Sequence, residues 1–583
     1  MPQPSVIVND WFQRFSQVVE SCDVQSLTSL FLPDGWLRDH LIFEWNYRTL
    51  HGYKDIERYL ETHLAKTQIT NLSLEGQDGI PPGFHPTSHE IEAAFAFETP
   101  ILWGRGYLLL QESGDVWKAI SVYFSAVDLK GHEENTQVPS GYYDEHRKTW
   151  EDAFEEEKVR IGKDPHVIIL GAAQNGLNVG ARFRQMNIPT LILEQSDRIG
   201  DNWRERYPTL TLHTPKSHHT LLYTKLPDNW PKFTPKEKVA NMLEQYAVNQ
   251  DLVIWTRSTI LPTPSYDPTT RRWTVEVSRD GEKITLKPYH IVLAIGILGV
   301  PHIPTLPGEE IFNGPKLHAT HYKGYQPFVN KNVIVVGASQ SAADICQNLA
   351  LHNAASVTMV QRSDTVIISN QYLHDTLFDP SYPLNGNLTD ADFRFTGLSW
   401  GHFKQLLIAG KDKRVADQRD MLEGLVKAGM NISEGKEGAG ELWQVYDRLG
   451  RQDIGAADLI IKGSIKIKRG EPEHFTTDGL VFKDGSYLQA DAVVFATGYE
   501  PPKNVIASVF GQEIANKITP IWGFNEIHEL KRAYSPSGHP GIWWGIGDFY
   551  VPRYSSKALG IQIKARLLGI ITDEDESSNR CFP

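Results

Sequence analysis

The chain has 583 residues, 40% hydrophobic and 22% charged, with a formal net charge of −13. That length exceeds what one core can organise and predicts two to four domains, and the acidic balance argues against nucleic acid as a partner. Cys22, Cys346 and Cys581 are the only cysteines and include no C-x-x-C, which excludes a disulfide framework and points to a reducing, cytoplasmic setting.

No run of about 18 apolar residues occurs, so no membrane span is expected. The opening MPQPSVIVND lacks the basic and apolar regions of a signal peptide. DWFQRFSQVVE then places Trp11, Phe12, Phe15, Val18 and Val19 on one helical face. GYLLLQESGDVWKAISVYFSAVDL predicts two strands joined by a turn at Ser113–Asp115. Helices followed by antiparallel strands predict an α+β domain over residues 1–135, folding separately from the rest. Asp39, His40 and His63 are candidates for a polar pocket within it. Residues 136–163 are charged and polar and predict a linker with an exposed helix.

From His166 the pattern changes. HVIIL, TLILE, HIVLAIG, KNVIVVG, SVTMVQ and ADAVVFATG are continuous apolar runs, as expected of parallel strands buried on both faces. Two of them lead into glycine turns and helical segments, at Gly171 and Gly337. One strand-turn-helix unit is thus used twice, which predicts two nucleotide-binding domains.

The first turn, GAAQNG, departs from G-x-G-x-x-G because Ala173 replaces the second glycine. Gly171 allows the tight turn, Gly176 allows close helix packing, and an alanine methyl is the smallest intrusion on a pyrophosphate. Glu194 ends the next strand 23 residues after Gly171, where an acid bonds a ribose hydroxyl. The second turn, GASQSA, offers Gly337, Ser339 and Ala342. Its next strand ends in Gln361–Arg362, and a guanidinium there can pair with a 2′-phosphate. The alternative for Arg362 is an ordinary surface arginine.

LEQSDRIGDNWRERYPTLTLHTP and LPDNWPKFTPKEKVANMLEQYA resemble segments of flavin-containing monooxygenases, near the group that includes the plant YUCCA enzymes. FNGPKLHATHY fits F-x-G-x-x-x-H-x-x-x-Y through Phe312, Gly314, His318 and Tyr322, the fingerprint of these enzymes. The sister Baeyer–Villiger enzymes carry Trp at the last position. The resemblance runs from about His166 to Arg566. It implies an α/β fold with two Rossmann-like dinucleotide-binding domains, one for FAD over 164–315 and 484–583, one for NADPH over 316–483 with a substrate-pocket insertion. Around FAD it implies Gly171, Ala173, Gly176, Glu194, Gln195, Asn202, Trp203, His213, Thr214 and, returning late, Asp548 of GIGDF. Around NADPH it implies Gly337, Ser339, Gln340, Ser341, Ala342 and Arg362, with Thr497 and Gly498 on the linking strand VVFATGYE.

His318, Tyr322 and Lys236 are the candidates for a catalytic part. His318 either helps to place NADP or is a satisfied core histidine. Lys236 falls about where animal members carry an Asn near the flavin, or else is an exposed lysine opening a helix. DGWLRDHLIFEWNYRTLHGYKDIERYLETHL resembles the SnoaL/NTF2-like cone fold, which implies binding or homodimerisation by residues 1–135.

The activity implied is a soluble FAD- and NADPH-dependent monooxygenase. It would insert one atom of O2 into a small organic substrate through a C4a-hydroperoxyflavin, by N- or S-oxygenation or by oxidative decarboxylation of a 2-oxo acid. In that chemistry the cofactor reacts and the protein supplies orientation and dryness. Tyr322 in place of Trp argues against a Baeyer–Villiger enzyme, and the missing C-x-x-C removes a disulfide reductase. The remaining alternative is an NADPH oxidase or a flavoprotein scaffold without productive oxygenation.

Overall fold

The computed structural model describes residues 3–135, 148–296, 299–440, 443 and 451–571. Cys581 and residues 136–147 of the expected linker lie outside them. Among the described residues, no helix is long and apolar enough to cross a membrane.

The N-terminal part is a strongly bent sheet carrying helices on one face. Helix α1 (Pro4–Glu20) buries Trp11, Phe12, Phe15 and Val19, as its periodicity predicts. Strands β1 (Phe31–His40), β2 (Tyr47–His51), β3 (Thr70–Leu74), β4 (Ile91–Glu98), β5 (Leu102–Ser113) and β6 (Val116–Leu129) run in the order β2-β1-β6-β5-β4-β3. The pairing is antiparallel except between β1 and β6, which are parallel. That pair departs from the all-antiparallel expectation, because the β1–β2 hairpin is laid alongside the last strand of the meander. Helix α2 (Tyr53–Thr67) joins α1 on the same face. Between helices and sheet, Phe12, Phe15, Phe95, Phe97 and Phe124 interlock edge to face, so this interior is filled by rings.

The opposite face of the same sheet is also buried, against the rest of the protein. Alternation sends Arg38 and His40 of β1 and Ser121 and Tyr123 of β6 away from the helices. There they meet the rest of the protein. Arg38 pairs bidentately with Glu529 at 2.6 Å, both side chains being 5% exposed or less. Arg105 pairs with Asp390 and Arg394 with Glu92. Trp36 and Tyr107 lie where a Cβ on Gly401 or Gly397 would stand, so those two glycines let the aromatic rings in. Removing residues 1–135 would take from Glu529 its Arg38 partner and open this face of the body to solvent.

The expected polar pocket is not assembled. Asp39 caps the Ile42, Phe43 and Glu44 amides and accepts from Tyr59, on the helix side. His63 lies near Glu44, and His40, one residue along the strand from Asp39, faces Glu529 on the other side.

Two parallel five-stranded sheets make up the body. The first has the order β9-β8-β7-β10-β16, from β7 (Val167–Leu170), β8 (Thr190–Leu193), β9 (Ile254–Trp255), β10 (His290–Leu293) and β16 (Ile542–Trp544). The second has the order β11-β15-β12-β13-β14, from β11 (Lys316–His318), β12 (Asn332–Val336), β13 (Ser356–Gln361), β14 (Ile465–Arg469) and β15 (Ala492–Phe495). Every apolar run singled out in the sequence is a strand of one of them. One boundary needs correction: residues from 484 onward were expected in the first unit, yet β15 lies between β11 and β12 of the second. The chain crosses back only after Phe495, as the parallel register of Val493 with Ile334 requires. Between β13 and β14 the expected insertion is helical, including α7 (Leu388–Gly397) and α8 (Trp400–Ala409).

Candidate active site between two glycine turns

The two turns are built alike. In the first, Gly171 has φ of +105°, and its N–H donates to Leu193 O. A Cβ there would stand 2.7 Å from Ala294 O, just past β10, so glycine is required. Ala173 opens helix α3 (Gln174–Gln185) in extended backbone. A Cβ on Gly176 would meet Gly171 O at 1.9 Å, so the helix seats directly on the turn. In the second, Gly337 has φ of +132°, its N–H donates to Val360 O, and a Cβ would meet Ala496 O, just past β15. Ser339 opens helix α4 (Gln340–Leu351) with nearly the same backbone as Ala173.

Charge separates the two turns. The Glu194 carboxylate accepts from Ala172 N–H at 2.8 Å and Ser196 N–H at 2.9 Å, which fixes it across the first turn. Arg362 is exposed and has no hydrogen-bond or ion-pair partner among the described residues, whereas Gln361 is buried and bonded to Thr365 and Asn431.

Side chains tie the turns to each other. Tyr207 donates to Asp344 of α4 at 2.6 Å, and Asn370 donates to His213 O. Gln340 binds Asp344 and accepts from Gln452 N–H. His318 is buried at the end of β11. Its Nδ1 accepts from Thr320 N–H, so its Nε2–H donates to Gly498 O at 3.1 Å. Burial lowers its pKa, so the ring is neutral. Thr497 donates to His302 O.

Two candidates are placed differently from expectation. Lys236 does open helix α5 (Lys236–Asn249), but it is 7% exposed, and its ammonium donates to Arg204 O at 2.5 Å. It closes the end of the short helix Asp201–Arg204 and is not a surface lysine. Tyr322 is fully buried, stacks on Phe328, and donates to Asn348 at 2.6 Å. A catalytic part for Tyr322 does not fit this position, because its hydroxyl is sealed in the core. Gln195 and Asn202 are exposed at the rim, and Thr214 and Ser341 are half-buried.

Three histidines, His218, His219 and His374, are buried beside this site. His218 and His219 are buried, and burial pushes His219 down to about 3 and His218 well below its usual range. His374 donates from Nε2 to His213 O. Asp548 lies 3.8 Å from His218. Its side chain is 45% exposed, and the Val551 and Tyr550 amides bond its carboxylate. Behind it, Arg553 clamps Asp392 with two bonds of 2.6 Å and holds the His218 and Thr220 carbonyls. Of this group the sequence pointed to Asp548 and His213 and missed His218, His219, His374 and the Arg553–Asp392 pair; the adjacent histidines in KSHHTLL were the visible signal for the first two of these.

The sequence profile described as flavin-binding monooxygenase-like matches residues 166–506, more than half of the chain. The chain belongs to that family. It is therefore an oxidoreductase, and the family's cofactors are FAD and NADPH. It is 29% identical over 335 residues to the probable indole-3-pyruvate monooxygenase YUCCA1 of Arabidopsis thaliana, covering 57% of this chain and 75% of that one. To the rice (Oryza sativa subsp. japonica) indole-3-pyruvate monooxygenase YUCCA1 it is 26% identical over 336 residues, covering 58% and 77%. An open crystal structure of cyclohexanone monooxygenase superposes with a TM-score of 0.52 at 14% identity, covering 71% of this chain and 91% of that one. That likeness concerns the fold alone.

The residues present fit FAD at the first turn. Gly171 and Gly176 seat the start of the helix directly on the turn, where its N–H groups can meet a phosphate. Trp203 Nε1 and His213 Nε2 are buried polar atoms with no partner among the described residues, and such atoms are seldom left unsatisfied.

Proposed function

We propose that the chain is an FAD- and NADPH-dependent monooxygenase that adds one oxygen atom from O2 to a small organic molecule. Reduced flavin supplies the oxygen-activating chemistry. The observation that carries the reading is the pairing of two near-identical turns with opposite charge, Glu194 at one and Arg362 at the other. The first would hold FAD, with Gly171, Ala173, Gly176, Glu194, Trp203, His213 and Thr214 around it, Gln195 and Asn202 at its rim, and Asp548 across from them. The second would hold NADPH, with Gly337, Ser339, Gln340, Ser341 and Ala342 beneath the phosphates and Arg362 on the 2′-phosphate.

His318 is a positioning residue in this reading. Its neutral ring, donating to Gly498 O, keeps the strand leading to Thr497 and Gly498 in register with β11. Lys236 supports the wall behind Trp203 through Arg204 O. The buried histidines, with Arg553–Asp392 and the helical insertion, exclude water.

Oxidative decarboxylation of a 2-oxo acid and oxygenation of nitrogen or sulfur both belong to the proposal; the YUCCA relatives named above support the first. Residues 1–135 are read as an NTF2-like unit whose ring-filled interior serves packing rather than catalysis, and homodimerisation through its exposed edges is part of the same proposal, as is a cytoplasmic location. NADPH oxidation should be followed with candidate 2-oxo acids, amines and sulfides, with mass detection of one added oxygen. NADPH consumption that yields only hydrogen peroxide with every compound would leave an oxidase.

A further inference from the structure

Beyond the cleft between the turns, the molecule has a cavity of about 530 Å³ on the seam between the N-terminal sheet and the body. One wall is Asn46–Arg48 of the β2 hairpin. The other is the segment 525–540, with Trp543 of β16 and Arg566 at the far end of helix α9 (Tyr550–Leu567). It lies at the start of β16, whereas the Gly171 turn lies past the ends of the parallel strands, so it is separate from the cleft.

Among the described residues its lining carries Lys531, Arg532, Arg48 and Arg566 and one carboxylate, Glu529, and Arg566 donates to Gln562 O. Glu529 is already spent on Arg38 and Thr49, which lie behind the wall. Arg48 pairs with Glu44. Lys531 and Arg532 have no carboxylate partner among the described residues. Arg532 gives only Nη1, to the Lys517 and Ser537 carbonyls, and keeps its Nε–Nη2 edge unspent. Burial without a counter-charge lowers its pKa. Three non-glycine residues of this stretch, His528, Arg532 and Tyr534, hold positive φ, a cost that persists where the surroundings fix it. Ile527, Leu530 and Trp543 add apolar surface to the lining, beside the polar Asn46, Asn525, Ser535 and His539.

We propose that this cavity is a binding site for a small organic carboxylate, its carboxylate forked on Arg532 beside Lys531 and its apolar body against Leu530 and Trp543. A planar fork matches a carboxylate with two parallel bonds. The volume falls in the range of small-molecule sites, about 300–1,000 Å³, and far exceeds the needs of an inorganic ion. The site would also clamp the seam. Tyr47, in its wall, donates to Tyr534 O, and the Tyr534 hydroxyl donates to Asn175 in the first turn of α3.

The test uses the full-length holoenzyme and calorimetric titration with benzoate, phenylacetate and 3-phenylpropionate, each against its neutral amide. At least one acid should bind about tenfold or more tightly than its amide, the effect of one charge-assisted pair. Lys531→Met should remove most of that preference, and so should Arg532→Gln. Arg532 also braces two carbonyls and its variant could misfold; Lys531 makes no such bond, so its variant alone decides. Equal binding of acid and amide, no binding of any acid, or a preference that survives Lys531→Met would each overturn the proposal, the last by placing the acids elsewhere in the protein.

Discussion

The Gly171 and Gly337 turns share backbone, hydrogen bonds and the carbonyl beneath the glycine, yet they differ at two places. The helix after the first turn sits so close that Gly176 has no room for a methyl, while Ala342 carries one at the matching step. The strand after the first ends in a carboxylate folded onto the turn, and the strand after the second ends in a free guanidinium. The shared part is what a phosphate needs, namely a tight bend into the N-terminus of a helix. The differing part is what distinguishes one dinucleotide from another, so cofactor choice resides in the side chains at the strand ends.

The largest expected effect tests the close seat. Gly176→Val drives a side chain into a backbone oxygen that cannot swing aside, so the purified variant should be folded by circular dichroism but colourless and unable to take up added FAD. Ala342→Gly, the matching change at the second turn, should leave FAD content and NADPH affinity nearly unchanged. Retention of flavin by Gly176→Val would mean that the first turn is not the FAD site.

Charge at the strand end comes next. Arg362→Ala removes a charge-assisted contact of about 1.5–3 kcal/mol, so NADPH should bind about 10- to 150-fold more weakly. NADH, without the 2′-phosphate, should be unaffected. Equal weakening of both would make Arg362 a structural residue and erase the contrast between the turns.

His318 joins what the turns keep apart. His318→Ala loses the bond to Gly498 O, worth about 0.5–1.5 kcal/mol. FAD content should stay unchanged, while hydrogen peroxide released per NADPH rises several-fold as the linking strand loosens. Unchanged coupling would return His318 to the role of a core residue.

The turns were legible in the sequence for a reason that fails elsewhere. Parallel strands buried on both faces must be continuously apolar, and the glycine falls where the chain must bend, so both signals are local. The seam of the N-terminal sheet was not legible, because Arg38, Glu92 and Arg105 have the composition of a solvated face. Their partners lie far along the chain, 491 residues away for Arg38 and Glu529. Lys236 misled in the same way, since its buried acceptor is a backbone carbonyl that no side-chain pattern announces. The pair His218–His219 was visible, but the burial that makes both rings neutral comes from distant segments, from Phe378, Tyr382 and Tyr550 around His218 and from Phe549 beside His219.

The smallest expected effect concerns the residue that breaks the glycine pattern. Ala173 has φ of −92° and ψ of −171°, extended backbone open to any residue, so the position needs no glycine for its own sake. Its methyl matters only as an obstacle to whatever the turn holds. Glycine there favours the helix start over alanine by about 0.5–1 kcal/mol, and costs a comparable amount, about 0.5–1 kcal/mol, in backbone freedom. The two offset, so Ala173→Gly should change FAD affinity by no more than about twofold, within the range those terms allow. Ala173→Val keeps the backbone allowed and enlarges only the obstacle, so it should weaken FAD clearly. If both variants bind FAD as the wild type does, nothing approaches this residue closely, and the pyrophosphate must rest on the helix N–H groups from another side. If Ala173→Gly tightens FAD tenfold, the alanine is a compromised glycine, and the first turn is weaker than its close helix seat suggests.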